Sequence, residues 1–216
     1  MSELSKRIFT SLFLILIVFL SFYYFYIFVI LLILISVLAW IEFNGLIKKI
    51  YLDNIFKTKI LTLLFKLFFL IYMVFFSTVV FNAMYQDIPN SKLNLIYLLL
   101  ICIFSDVGGF VFGKTFKGKK LTNISPNKTI IGSVGSFILP LFLVPFFYKN
   151  LNNEFSNLTN LLLLVFLVSL VCQLGDLSIS YLKRKANVKD TSDLLPGHGG
   201  ILDRVDGIIF ALPFGI

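Results

Sequence analysis

Long uncharged apolar runs alternate with short basic connections along this chain. No charged residue occurs from Ile8 to Ile41, a stretch of 34 residues. As one helix it would be about 51 Å long, at roughly 1.5 Å per residue. The hydrocarbon core of a bilayer is only about 30 Å thick. The run therefore predicts two helices hinged near Ser21–Tyr24. Further apolar runs cover Leu61–Met84, Leu95–Phe112, Ile130–Tyr148, Leu161–Leu182 and Val205–Ile216. The pattern predicts an all-α, polytopic membrane bundle of about seven transmembrane helices, the last one short. No internal repeat and no Pro- or Ser-rich linker divides the chain. Residues 1–216 read as a single transmembrane domain, in which 1–90 supplies N-terminal helices and 91–216 the residues able to carry chemistry.

Composition agrees, with 58% of 216 residues apolar and 26 of them Phe, against about 45–50% apolar in soluble domains. The net charge of +8 has to be read by position, because Lys and Arg mark the cytoplasmic ends of membrane helices. Alternating the spans from a cytoplasmic N-terminus puts sixteen of the 19 cations inside. They are Lys6, Arg7, Lys48, Lys49, Lys57, Lys59, Lys114, Lys117, Lys119, Lys120, Lys128, Lys183, Arg184, Lys185, Lys189 and Arg204. Only Lys92 and Lys149 fall outside, and Lys66 can snorkel at its helix entry. Loops 114–129 and 183–204 then share the cytoplasmic face. Lys6 and Arg7 resemble the start of a signal peptide, but no small-residue cleavage site follows. An uncleaved first helix is expected. Cys102 and Cys172 lie in apolar runs and read as reduced packing residues.

The apolar pattern fails most conspicuously between Gln173 and Asp206. These 34 residues hold five carboxylates, five cations, four glycines and the only histidine. Asp176 falls where a spanning helix should still be in lipid, and an ionisable group there is costly enough to suggest function. Gln173, Asp176, Ser180 and Lys183 stand at i, i+3, i+7 and i+10, on one helical face. Either Asp176 and Lys183 form a structural pair, or the face holds a hard cation open to the cytoplasm. Asp203 and Asp206 stand at i, i+3 at the mouth of the last helix. With Asp176 they make an all-oxygen set of the kind that suits Mg²⁺. Capping of that helix is the competing role for Asp203. Pro196-Gly197-His198-Gly199-Gly200 forms a tight loop whose main-chain N–H groups can approach phosphate.

A second group precedes it. Ser105-Asp106 interrupts the run 95–112. Gly109 and Gly113 form a small-xxx-small pair, suited to close helix packing or to a homodimer. Ser125-Pro126-Asn127-Lys128-Thr129 places two hydroxyls and a cation at the start of the next helix, a natural phosphate-binding position.

Together these residues resemble the phosphatidate cytidylyltransferases, also called CDP-diacylglycerol synthases. The family signature runs Ser, Lys-Arg, Lys-Asp, Pro-x-His-Gly-Gly, Asp-Arg-x-Asp. Here it reads Ser180, Lys183-Arg184, Lys189-Asp190, Pro196 to Gly200 and Asp203-Arg204-Val205-Asp206, in order and spacing. Gln173-Leu174-Gly175-Asp176 and Ser125 to Thr129 also match. Where the family usually has Glu after Ser-Pro-x-Lys-Thr, this chain has Ile131 before Gly132.

The resemblance implies an enzyme of phospholipid biosynthesis in the cytoplasmic membrane. Its active site would face the cytoplasm and convert CTP and phosphatidate to CDP-diacylglycerol and pyrophosphate. Asp176, Lys183, Arg184, Asp203 and Arg204 would be catalytic. Asp176, Asp203 and Asp206 would hold Mg²⁺, with a second, monovalent cation left open. Asp106, Ser125, Lys128, Thr129, Ser180, Lys189, Asp190, His198, Gly199 and Gly200 would bind substrate. The partners are CTP, phosphatidate and the bilayer, with no nucleic acid. A CTP-dependent polyprenol or lipid-alcohol kinase is the main alternative. A transporter is disfavoured by the unrepeated contexts of Asp106 and Asp176. Only ten residues follow Asp206, so the last helix is expected to be short, or the chain an inactive shortened paralogue.

Overall fold

A computed structural model describes residues 3–51, 56–85, 90–122, 125, 128–148, 157–197 and 199–216. The described residues form α-helices and turns, with two isolated bridges and no strand. The helices are α1 (Glu3–Tyr23), α2 (Phe25–Ile50), α3 (Phe56–Tyr85), α4 (Ser91–Phe116), α5 (Ile130–Ile138), α6 (Val144–Tyr148), α7 (Leu158–Lys185) and α8 (Leu202–Gly215). A short 3₁₀ turn at Leu139–Leu143 joins α5 to α6. Pro140 sits at its start and has no N–H to give to a regular α-helical ladder.

Five segments are long and apolar enough to cross a membrane: Phe25–Ile50, Thr58–Tyr85, Ser91–Phe116, Ile130–Tyr148 and Leu158–Lys185. The hinge expected near Ser21–Tyr24 falls at Tyr24, which is extended at φ −113° and ψ 105°. Backbone bonds still reach across it, from Tyr24 N to Leu20 O at 2.9 Å and from Phe28 N to Tyr24 O at 3.2 Å. Tyr26, Phe68, Ile71, Phe110, Phe142 and Phe146 are each at least two-thirds exposed. An outward apolar surface of this kind is stable against lipid and costly against water.

The chain divides into two compact units, Met1–Phe81 with Leu182–Val205, and Asn82–Tyr181 with Asp206–Ile216. In the first unit, α2 buries Phe28, Leu32, Ala39, Phe43, Leu46 and Ile47, while α3 buries Phe69, Met73, Phe76 and Val80. Phe43 stacks on Phe69 with ring centroids 3.9 Å apart. Ser36 and Ser77 hydroxyls meet at 2.8 Å between the same two helices, a polar tie of the kind that holds helices together where lipid offers no hydrophobic drive.

In the second unit, α4 crosses α5 through glycines. A Cβ on Gly135 would lie 2.5 Å from Phe112 Cβ and 2.8 Å from Gly108 O. A Cβ on Gly132 would lie 2.7 Å from Gly109 O. The face carrying Gly109 and Gly113 is thus covered within the chain by α5. Cys102 and Cys172 are buried free thiols in this unit.

A side chain at the crossing should cost more than one in open space. Gly135→Ala is expected to destabilise the protein by about 1–3 kcal/mol, the range for overpacking. Gly45→Ala meets nothing within 4 Å and should be neutral or stabilising, since Ala exceeds Gly in helix propensity. Thermal unfolding of the two variants in the same detergent checks the contrast.

Candidate functional site

Two polar clusters interrupt the apolar packing, one in each unit. In the second unit, a cavity of about 290 Å³ is lined by Asp106 and Gly109 of α4, by Ser125, Lys128 and Thr129, by Gly132, Ser133 and Ser136 of α5, and by Gln173 and Asp176 of α7. The cavity lies beside the crossing, with Gly109 and Gly132 contributing backbone to its wall. The connection after α4 folds back on itself, with Leu121 N donating to Lys128 O at 2.8 Å and Ile130 N to Lys119 O at 3.0 Å. That return carries Lys128 to Asp176, where ammonium and carboxylate form an ion pair. Ser180 Oγ donates to Asp176 Oδ1 at 3.2 Å, from one turn further along α7. Thr129 is the N-cap of α5, and its hydroxyl accepts from Gly132 N at 3.0 Å. Ser133 Oγ donates to Gln173 Oε1 at 2.5 Å. Five residues expected to act on substrate or metal, Asp106, Ser125, Lys128, Thr129 and Asp176, therefore share one cavity.

The first unit contains the other cluster. Lys183 Nζ donates to Asp203 Oδ1 at 2.6 Å, and Asp203 is only 5% exposed. Asp203 Oδ2 accepts from Thr191 N at 2.8 Å, Thr191 Oγ1 at 2.9 Å and Gly200 N at 3.0 Å. Burial alone would raise this carboxyl. The Lys183 ammonium and the Thr191 and Gly200 N–H groups outweigh it and hold the group below its ordinary value. Gly199 adopts φ +80°, and a Cβ there would stand 3.0 Å from Asp203 Oδ2 and 3.2 Å from Asp190 Cβ. Arg184, Lys189, Asp190 and Arg204 of this unit are exposed, whereas Asp206 belongs to the second unit and is buried there. His198 lies outside the described residues.

One residue of this cluster was not anticipated. Glu42 of α2 is 4% exposed and accepts four hydrogen bonds from the segment 191–202. Ser192 Oγ and Ile201 N donate to Oε1 at 2.6 and 3.0 Å. Leu202 N donates to Oε2 at 2.8 Å, and the single Thr191 Oγ1 proton is shared between Oε2, at 2.8 Å, and Asp203 Oδ2. Capping of α8, considered for Asp203, falls to Glu42 through Ile201 and Leu202. The signal was available: Glu42 is the first charge after 34 uncharged residues, and the cost that singles out Asp176 applies to it equally.

Among the described residues, no three His, Cys, Asp or Glu side chains gather closely enough to hold a metal by themselves. The cavity of the second unit nevertheless fits a hard cation. It offers two carboxylates, an amide and hydroxyls, and Mg²⁺ commonly takes one or two carboxylates with waters and substrate phosphates. Asp203 differs, since both of its oxygens are engaged by protein donors. A metal approaching Oδ1 would share that oxygen with the Lys183 ammonium.

The Lys183–Asp203 pair has a definite pH signature. A lowered folded-state pKa adds stability above the ordinary aspartate range, and that stability is lost as pH falls through the lowered value. Asp203→Asn should therefore unfold earlier than the parent at pH 7, and the gap should close progressively below about pH 4. Thermal unfolding in detergent across that range tests it; a gap that persists undiminished at the lowest pH would refute the assignment.

Several curated proteins resemble this chain. A phosphatidate cytidylyltransferase of Rickettsia typhi is 43% identical over 133 residues, 56% of this chain and 58% of that protein. One of Staphylococcus haemolyticus is 43% identical over 122 residues, 55% of this chain and 46% of that protein. One of Helicobacter pylori is 41% identical over 116 residues, 54% of this chain and 43% of that protein. The chain spans about half the length of these relatives. Residues 43–216 match the model of the cytidylyltransferase family, and the chain belongs to that family.

Proposed function

We propose that the chain is a membrane-embedded phosphatidate cytidylyltransferase of phospholipid biosynthesis, acting on CTP and phosphatidate. The observation that carries the reading is the Lys128–Asp176 ion pair, set in a cavity among long apolar helices. A lipid phosphate and a nucleotide triphosphate both need cations at membrane depth, and a carboxylate there suits a divalent metal. The relatives' names fit this chemistry.

In the reaction, a phosphate oxygen of phosphatidate attacks the α-phosphorus of CTP. The new P–O bond joins the lipid phosphate to CMP, the bond from the α-phosphorus to the bridging oxygen breaks, and pyrophosphate leaves with that electron pair. The nucleophile is already anionic, so the protein needs chiefly to position and to neutralise charge. Lys128 would meet phosphate oxygens at the mouth of α5, with Ser125 and Thr129 as hydroxyl partners. Lys183, Arg184, Lys189 and Arg204 would neutralise the triphosphate, and Asp190, His198, Gly199 and Gly200 would shape its loop. Asp176 would be the first carboxylate on Mg²⁺, with Asp106 beside it and Asp206 as a further oxygen. When bound, Mg²⁺ would offset the charge that builds on the pyrophosphate leaving group. Asp203 is proposed as a co-ligand only after Lys183 transfers to substrate; until then it is a positioned anion.

The topology belongs to the same proposal. With α1 and α8 crossing alongside the five long segments, the bundle has seven spans and a cytoplasmic N-terminus. The sites then face the cytoplasm, where CTP is found. A homodimer would need a face other than the covered Gly109–Gly113 surface.

Purified protein incubated with labelled CTP, phosphatidate and Mg²⁺ should yield lipid-soluble CDP-diacylglycerol and free pyrophosphate. In a parallel incubation with a polyprenol or another lipid alcohol in place of phosphatidate, a phosphorylated lipid alcohol and CDP would establish the kinase alternative. Asp176→Asn should abolish turnover in a folded protein, and near-normal activity would remove it as a ligand. Lys183→Gln should lower kcat by about 10²-fold, the order seen on removing one electrostatic stabiliser. For orientation, Leu194→Cys should resist an impermeant thiol reagent on intact cells while Asn157→Cys reacts, both in a background lacking Cys102 and Cys172. The reverse pattern would invert the topology.

A further inference from the structure

Glu42 stands one residue before the stretch that matches the family model, on a helix with no other group assigned to the chemistry. A buried carboxylate is costly unless donors meet it, and Glu42 is met by four. All four come from one segment, and two of them are main-chain N–H groups of Ile201 and Leu202. Main-chain donors fix the path of a backbone, not merely the rotamer of a side chain. The path they fix leads directly into Asp203. Thr191 makes a second connection, because its hydroxyl lies 2.8 Å from Glu42 Oε2 and 2.9 Å from Asp203 Oδ2. Gly200 completes the packing: a Cβ there would overlap Thr191 Oγ1 and come within 2.5 Å of Glu42 Oε2. The Pro-x-His-Gly-Gly loop therefore needs glycine at this position at least in part because Glu42 stands behind it.

We infer that Glu42 is a positioning residue for nucleotidyl transfer, holding the segment 191–203 so that Asp203 keeps Lys183 in place for the substrate. The inference rests on the proposed function for what the segment does, and on geometry alone for what holds it. A helix near the start of the chain thus supplies the anchor for a loop near its end, 149 to 160 residues away in sequence.

The test combines kinetics with amide hydrogen exchange on the full chain in detergent. Glu42→Gln keeps the size but removes the charge and places an N–H₂ group against donors. Its kcat per folded molecule should fall by about 10²-fold, the cost of an ångström-scale misplacement, while the KM for CTP moves less than about 3-fold. Exchange in peptides covering 191–203 should quicken and exchange in α4 and α5 should not. Glu42→Asp, which restores the carboxylate one methylene short, should recover part of the loss. A folded Glu42→Gln protein with more than half of the parent kcat, or with unchanged exchange at 191–203, overturns the inference. If Glu42→Gln does not fold, Thr191→Val with Ser192→Ala removes both hydroxyl donors and leaves the two backbone bonds. Lower kcat and faster exchange in that variant support the inference, and parental values for both overturn it. If the parent itself makes no CDP-diacylglycerol, the functional reading fails by itself, and exchange alone still decides whether Glu42 holds the segment.

Discussion

A carboxylate withdrawn from water must find donors inside the protein, because the alternative is an uncompensated charge in a medium that solvates it poorly. Three acids meet that requirement in three different ways. Asp176 has a lysine and a hydroxyl. Asp203 has a lysine, two main-chain N–H groups and the Thr191 hydroxyl that it shares with Glu42. Glu42 has two hydroxyls and two main-chain N–H groups. The donors come from loops as well as helices, so meeting the acids' needs gives the loops their shape. Connections that would otherwise wander are drawn to fixed points. The polar residues of this chain thus act on its architecture as well as its chemistry.

The two lysines in these pairs have different environments. Lys128 is 30% exposed and Lys183 only 12%. An exposed pair contributes little to stability, whereas breaking a buried one leaves an uncompensated charge. The Lys128–Asp176 pair is therefore the less deeply buried of the two and the one that separates at lower cost. Lys183 is held more tightly, and separating it from Asp203 would leave a nearly buried carboxylate without its cation.

Much of the helical layout was legible because lipid imposes a simple rule: uncharged runs of sufficient length become helices. The hinge at Tyr24 followed from arithmetic on the length of one run. Asp106 and Asp176 are legible as site candidates because polar groups stand out in apolar sequence, and Lys128 because it stands between two hydroxyls at the start of α5; all three line one cavity. Two things were harder to read. The 3₁₀ turn at Leu139–Leu143 lies inside an apolar run with no charged residue, where Pro140 and Pro145 are the local hints. Glu42 stands out in hydropathy as Asp176 does, but its partners lie about 150 residues away, and hydropathy carries no information about long-range pairing. The Gly109–Gly113 pair was recognised as a packing surface, but its partner, α5 or a second copy, depends on tertiary contacts that spacing does not encode.

The α4–α5 crossing bears on how this protein can vary. Because the two backbones touch through glycines, the connection between them leaves and returns at nearly the same place. The bridge between Lys120 and Thr129 closes its base a second time. A loop pinned in this way tolerates changes in length well, since each doubling costs only about 0.6 kcal/mol in closure entropy. Insertions and deletions should accumulate between Leu121 and Ser125, beyond the bridge, and be scarce on the helical side of it. The glycines that bring the helices together thus fix both ends of the intervening loop and leave its length the easiest thing to change.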